Sequence, residues 1–193
     1  MHMKHKQNGI KLYAIMTAGS VIGLVASFTQ MMDKIALLKD SGAPLVCNIN
    51  ASLSCSTVLN SQQASVLGPP NALISTIMFC FFLAIGLAGL TSSVISVKMR
   101  FITQFLAIFT LLFGMWFLYQ SIFVIQSLCI YCIFNTFGLL LINATWLKLN
   151  YLDIKINTKI NQVFKKLVEK NYDILIWLII AILIIASAMF KFL

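Results

Sequence analysis

The sequence predicts an all-α integral membrane protein, a four-helix transmembrane bundle with a fifth transmembrane helix beside it. Three observations carry this. Of the 193 residues, 60% are hydrophobic and 10% charged, at a mean hydropathy of +0.94, whereas soluble domains are roughly 45–50% apolar and about 25% charged. Only five acids are present, Asp33, Asp40, Asp153, Glu169 and Asp173, too few polar groups to cover a soluble domain of this length. The apolar residues also collect in five long runs, each near the roughly 20 residues that a spanning helix needs. An ordinary soluble enzyme is excluded.

The spans fall at about residues 12–32, 72–97, 101–119, 128–147 and 174–190. Unpaired backbone groups cost several kcal/mol each in hydrocarbon, so the runs must be helical. The first begins after Lys4, Lys6 and Lys11 like a secretory signal, but it is too long for one and no A-x-A site follows. It reads as a retained helix, and Gly19 and Gly23 give it a GxxxG pattern suited to close packing.

With a cytoplasmic N-terminus, Lys4, Lys6, Lys11, Lys98, Arg100, Lys148, Lys155, Lys159, Lys165, Lys166 and Lys170 face the cytoplasm. Only Lys34, Lys39 and Lys191 lie outside. This split follows the positive-inside rule and puts the C-terminus outside. The net charge of +9 therefore orients the chain in lipid and marks no nucleic-acid surface. Three units result: a catalytic core over 1–148, a basic amphipathic helix over 149–172 lying on the anionic membrane surface, and a fifth span over 173–193. The one long polar segment is the outer loop, about 33–71, which ends in Gly68-Pro69-Pro70.

The cysteines carry the chemistry. Cys47 and Cys55 lie in the outer loop, and Cys129 and Cys132 form a CxxC at the outer end of the fourth span. All four fall on one membrane side, the oxidising side in a bacterial inner membrane or the ER. On a helix Cys129 and Cys132 share one face. Ser127 is placed to cap that helix, whose N-terminal partial charge lowers a nearby thiol pKa. Two dithiol pairs, one in a mobile loop and one at the lipid boundary, suit an electron relay by thiol–disulfide exchange. Zinc fits the spacing poorly, because His2 and His5 are on the other side. Inert structural disulfides are the other alternative, against which a CxxC loop is too tight for an unstrained bridge. Cys80, about 13 Å into the second span, reads as a small buried hydrophobe. The expected spans carry no carboxylate or His, which excludes a proton pump, and no GxGxxG signals a nicotinamide or flavin site. Electrons from the dithiols would then pass to a lipid-soluble quinone.

The ordered set Cys47-x₇-Cys55, Ser61, a four-helix core and Cys129-Ile130-Tyr131-Cys132 opening a late span resembles the vitamin K epoxide reductase family over about residues 12–148. The resemblance implies that Cys47 and Cys55 shuttle electrons from a thioredoxin-like, DsbA-like periplasmic partner. Cys55 then attacks the disulfide at Cys129, and Cys132 faces a quinone of the ubiquinone or menaquinone type. Ser61 matches the family's hydroxyl after the second loop cysteine, and Asn71 its amide that hydrogen-bonds a quinone carbonyl. Without the family, Ser61 reads as a loop turn and Asn71 as a helix cap after Pro70.

The sequence departs from the family pattern in three ways. Animal members place a Tyr four residues after the second CxxC cysteine, where this chain has Thr136, which favours quinone reduction over epoxide chemistry. The chain continues only three residues past Phe190, so the thioredoxin-like partner is expected as a separate protein. The segment between Ser61 and Asn71 is short, so a smaller cap over the site is expected. The resulting expectation is a disulfide-generating oxidoreductase of the bacterial inner membrane, active at the periplasmic face. The alternatives are an ER-type quinone or vitamin K epoxide reductase, and a non-enzymatic scaffold with structural disulfides.

Overall fold

The computed structural model describes residues 2–50, 52–91 and 95–153, together with 179, 182, 183 and 186. The expected surface helix from residue 154 onward and, apart from those four positions, the fifth span lie outside the described residues.

Among the described residues, four helices are long and apolar enough to cross a membrane. They are α1 (His2–Lys39), α3 (Asn71–Leu90), α4 (Val97–Tyr119) and α5 (Ile130–Asp153), with a short α2 (Cys55–Leu59) between the first two. The architecture is the expected all-α membrane bundle. α1 packs on both α3 and α5, and α4 packs on α5. The bundle therefore runs α3–α1–α5–α4, and the closing α3–α4 side has the least contact.

Helix ends depart from the hydropathy reading. The second span stops at Leu90 instead of 97, because Ser96 caps the next helix by accepting a hydrogen bond from the Met99 N–H. The first helix continues past residue 32 to Lys39. Asp33 thus belongs to a spanning helix, contrary to the expectation of spans without carboxylates. A π-turn over Gln120–Val124 extends α4, and Gln126 at φ 57° reverses the chain towards α5.

Glycines fix how closely the helices approach. A Cβ on Gly23 would lie 2.0 Å from Phe79 Cε1, and one on Gly19 would lie 2.9 Å from Leu141 Cβ. Facing them, a Cβ on Gly138 would lie 2.6 Å from the Gly19 carbonyl oxygen. The GxxxG of α1 is thus a crossing point for α5 and α3, as small residues permit in lipid. Gly138→Ala pushes on backbone, which cannot rotate away. It is expected to destabilise the bundle by about 1–3 kcal/mol, read as a lowered melting temperature in detergent. Gly9→Ala, where nothing lies within 4 Å, should melt like wild type.

Cys80 is exposed, which corrects the buried reading. It lies on the outward stripe of α3 with Leu73, Ile77 and Leu87, at helical spacing. The inward stripe carries Ala72, Phe79, Phe82, Gly86 and Gly89.

Candidate active site

The four remaining cysteines meet at one end of the bundle, inside an apolar cluster that includes Leu37, Val58, Phe117, Ile122 and Leu128. The outer loop is folded and hydrogen-bonded. Ser54 caps α2 by accepting from the Thr57 N–H, and Asn48 Oδ1 accepts from the Ser56 N–H. Three ties hold this loop to the segment before α5. Leu53 pairs with Leu128 in a parallel bridge, the Leu128 N–H donates to the Ser52 carbonyl at 2.8 Å, and Ser127 Oγ donates to the Ser54 carbonyl at 3.1 Å. Ser127 is therefore a cross-link to the loop and not the cap of α5, which begins three residues later.

These ties set the sulfur geometry. Cys47 and Cys55 form a disulfide, while Cys129 and Cys132 are free thiols. Cys129 Sγ lies 3.3 Å from Cys55 Sγ, and both residues are 0% exposed. Exchange requires a thiolate to attack a disulfide sulfur, and here the two sulfurs already touch. Cys129 lies one residue ahead of the span. The hydrogen bond from the Cys132 thiol holds the Cys129 thiol below the ordinary value, against the effect of burial. The Cys132 and Tyr131 backbone N–H groups add to the lowering, and the Asp33 carboxylate opposes it. Asp33 Oδ2 is also 3.6 Å from Cys47 Sγ.

Cys132 opens onto a cavity of about 40 Å³ between the helices. Phe113, Phe117 and Leu139 supply apolar wall, and Asn71, Gln30 and Asn135 supply the amides. Asn71 is the first residue of α3, and Pro70 holds the cap position. Its Nδ2 reaches back to the Gln63 carbonyl at 2.7 Å, while its Oδ1 is buried without a hydrogen-bond partner. Thr136 also lines the cavity, with its hydroxyl donated to the Cys132 carbonyl at 2.8 Å.

Ser61 is not brought to the cavity. It precedes the 3₁₀ turn Gln62–Ser65, and its hydroxyl donates to the Val58 carbonyl at 2.7 Å. Gln30, Asp33 and Asn135 are the site residues that sequence reasoning did not select. For Asp33 the signal was available, since an ionisable residue in a membrane helix marks a functional position by default.

The model of the Vitamin K epoxide reductase family matches residues 14–147, which take in all four clustered cysteines and every residue of the cavity wall. No curated relative matches the chain. Matched over more than half its length, with four membrane-length helices and a thiol–disulfide centre, the chain is a membrane oxidoreductase that belongs to the vitamin K epoxide reductase family.

Proposed function

We propose that the chain oxidises the dithiol of a separate thioredoxin-like protein and passes the electrons to a membrane quinone. The observation that carries this is the contact between Cys129 Sγ and the Cys47–Cys55 disulfide, with Cys132 next in line at the cavity. The partner's dithiol reduces Cys47–Cys55, becoming a disulfide. Cys55 then attacks Cys129 of an oxidised CxxC, Cys132 leaves as a thiolate, and Cys47 resolves the mixed bond by attacking Cys55. The loop pair is again a disulfide and the CxxC a dithiol, the redox state seen in the structure. A quinone of ubiquinone or menaquinone type, when bound, supplies the two-electron acceptor.

The cavity residues fit such a group in kind. Phe113, Phe117 and Leu139 suit the face of a ring, and the unpartnered amide oxygens of Asn71 and Asn135 suit the hydroxyl edge of its reduced, quinol form. About 40 Å³ is less than a ring needs, so walls must part, and the sparse α3–α4 side faces the lipid that holds the quinone. Thr136 stands where animal members of the family place a Tyr, and its hydroxyl is donated to backbone, so plain quinone reduction is favoured over epoxide chemistry. On this reading the cysteine end faces the periplasm across a bacterial inner membrane, and Lys11, Lys98, Arg100 and Lys148 mark the cytoplasmic end.

The test is quinone reduction by the purified chain with a reduced DsbA-like protein as donor. Stoichiometric partner oxidation supports the reading, and an inert staple would give none. Gly114→Leu places a side chain against Leu139 at the cavity wall. It should lower quinone reduction by about tenfold while exchange between the partner and the loop pair persists. Equal loss of both would point away from this cavity.

A further inference from the structure

Gln30 on α1 and Asn135 on α5 are buried amides at the cavity that the relay above leaves without a task. Asn135 follows Cys132 by three residues and shares its helix face. The three groups form a directed chain. Asn135 Nδ2 donates to Gln30 Oε1 at 3.2 Å, and Gln30 Nε2 donates to Cys132 Sγ at 3.6 Å. Gln30 is 4% exposed. Interhelical bonds of this kind stabilise membrane bundles little, so packing alone gives no reason to prefer amides over leucines here.

The direction of the chain has a consequence at the cavity. The Cys132 thiol gives its proton to Cys129, so towards Gln30 its sulfur can only accept, and the Gln30 amide must turn its Nε2 to the sulfur and its Oε1 to Asn135. Asn135 then spends its donor on Gln30, and its Oδ1 remains buried without a partner. Asn71 shows the same pattern, with Nδ2 bonded and Oδ1 unpartnered, on the same cavity. Two residues that line the cavity with Cys132 thus each carry an unpartnered acceptor. Quinone carbonyls cannot donate to them, whereas the hydroxyls of a quinol can.

We propose that Gln30 is a positioning residue that holds the Cys132 sulfur, and that Asn135 Oδ1 accepts an O–H of the quinol as it forms. This rests on the quinone-reducing reading above. Oxidation of the CxxC forms the Cys129–Cys132 bond and releases two electrons and two protons, which together convert the quinone to the quinol. An acceptor that gains its hydrogen bond only as the hydroxyl appears favours the later part of the reaction over the start.

The test needs no quinone for its first readout. Full-length protein in detergent is equilibrated with dithiothreitol buffers, alkylated and peptide-mapped to give the oxidised share of Cys129–Cys132. Gln30→Met keeps the bulk and removes the donor to the reduced sulfur. It should shift the equilibrium towards the disulfide by about fivefold to tenfold, where tenfold corresponds to about 30 mV. Asn135→Leu should shift it less and should lower kcat and kcat/KM for a short-chain quinone together by about fivefold or more, with KM little changed. A Gln30→Met equilibrium within about twofold of wild type, in a protein that melts normally, overturns the positioning role. An unchanged kcat in Asn135→Leu overturns the acceptor role. Gln30→Leu is read in the same way should Gln30→Met not fold. A wild-type chain that reduces no quinone would sink the function reading instead, and the dithiol equilibrium would still decide Gln30.

Discussion

Cys47→Ala and Cys55→Ala should each lower partner-driven quinone reduction by roughly a thousandfold or more, the scale for removing a reacting nucleophile. Quinone reduction driven by a small dithiol should survive in part. The asymmetry follows from burial. Cys129 is 0% exposed beneath Cys55, so a thioredoxin-like protein cannot touch it and must work through the loop pair. A small dithiol is not held to that route, and in Cys55→Ala the sulfur that covers Cys129 is gone. Cys129→Ala and Cys132→Ala should lose both activities. Cys80→Ala should match wild type in both, because Cys80 faces outward from α3. Partner-driven activity that survives loss of Cys47 would break the proposed order.

The loop owes its role to being folded. Three hydrogen-bonded or bridged contacts fasten 52–54 to 127–128, and these are what bring Cys55 against Cys129. No large descent of the loop is required for exchange inside the chain. Motion is needed on the other side, where the partner must reach a Cys47 that is itself buried. The slow conformational step of the cycle is therefore expected at the outer surface of the loop, with the sulfur relay beneath it already assembled.

The spans were legible because hydrocarbon demands about 20 apolar residues in a row, and that demand leaves a mark no tertiary contact can erase. The gathering of four cysteines at one end followed from the parity of the spans between them. Orientation of side chains within a span was not legible. Lipid is as apolar as the bundle core, so the inward and outward faces of α3 carry the same kind of residue, and Cys80 could not be assigned from hydropathy. Gln30 and Asn135 escaped for a related reason. Each is a polar residue in a largely apolar span, and what joins them is a contact across 105 positions that a local pattern does not encode. The helix ends failed where caps outweighed hydropathy, as Ser96 does before α4. Ser61 was selected by its place after Cys55, but a hydroxyl two residues past a short helix finds the Val58 carbonyl at the helix end first.

Cys132→Ala should accumulate a disulfide between Cys55 and Cys129, with Cys47 left as a free thiol. In this variant three sulfurs share one disulfide, and the thiol that would release Cys129 by re-forming the CxxC bond is absent. The mixed bond is required by chemistry, since every exchange passes through one. It is also required to be near at hand, and Cys129 Sγ lies 3.3 Å from Cys55 Sγ. A bond length of about 2.05 Å asks the two sulfurs to close by little more than an ångström, within the reach of side-chain rotation. Cys47 can attack Cys55 and reverse the step, so both species are expected, in a ratio set by the two bonds. Peptide mapping under non-reducing conditions, after rapid alkylation, separates them. The Cys129→Ala variant should show only Cys47 joined to Cys55. A Cys132→Ala chain holding only that loop bond, with Cys129 wholly free, would mean that the sulfurs touch without exchanging. The loop disulfide would then be a staple.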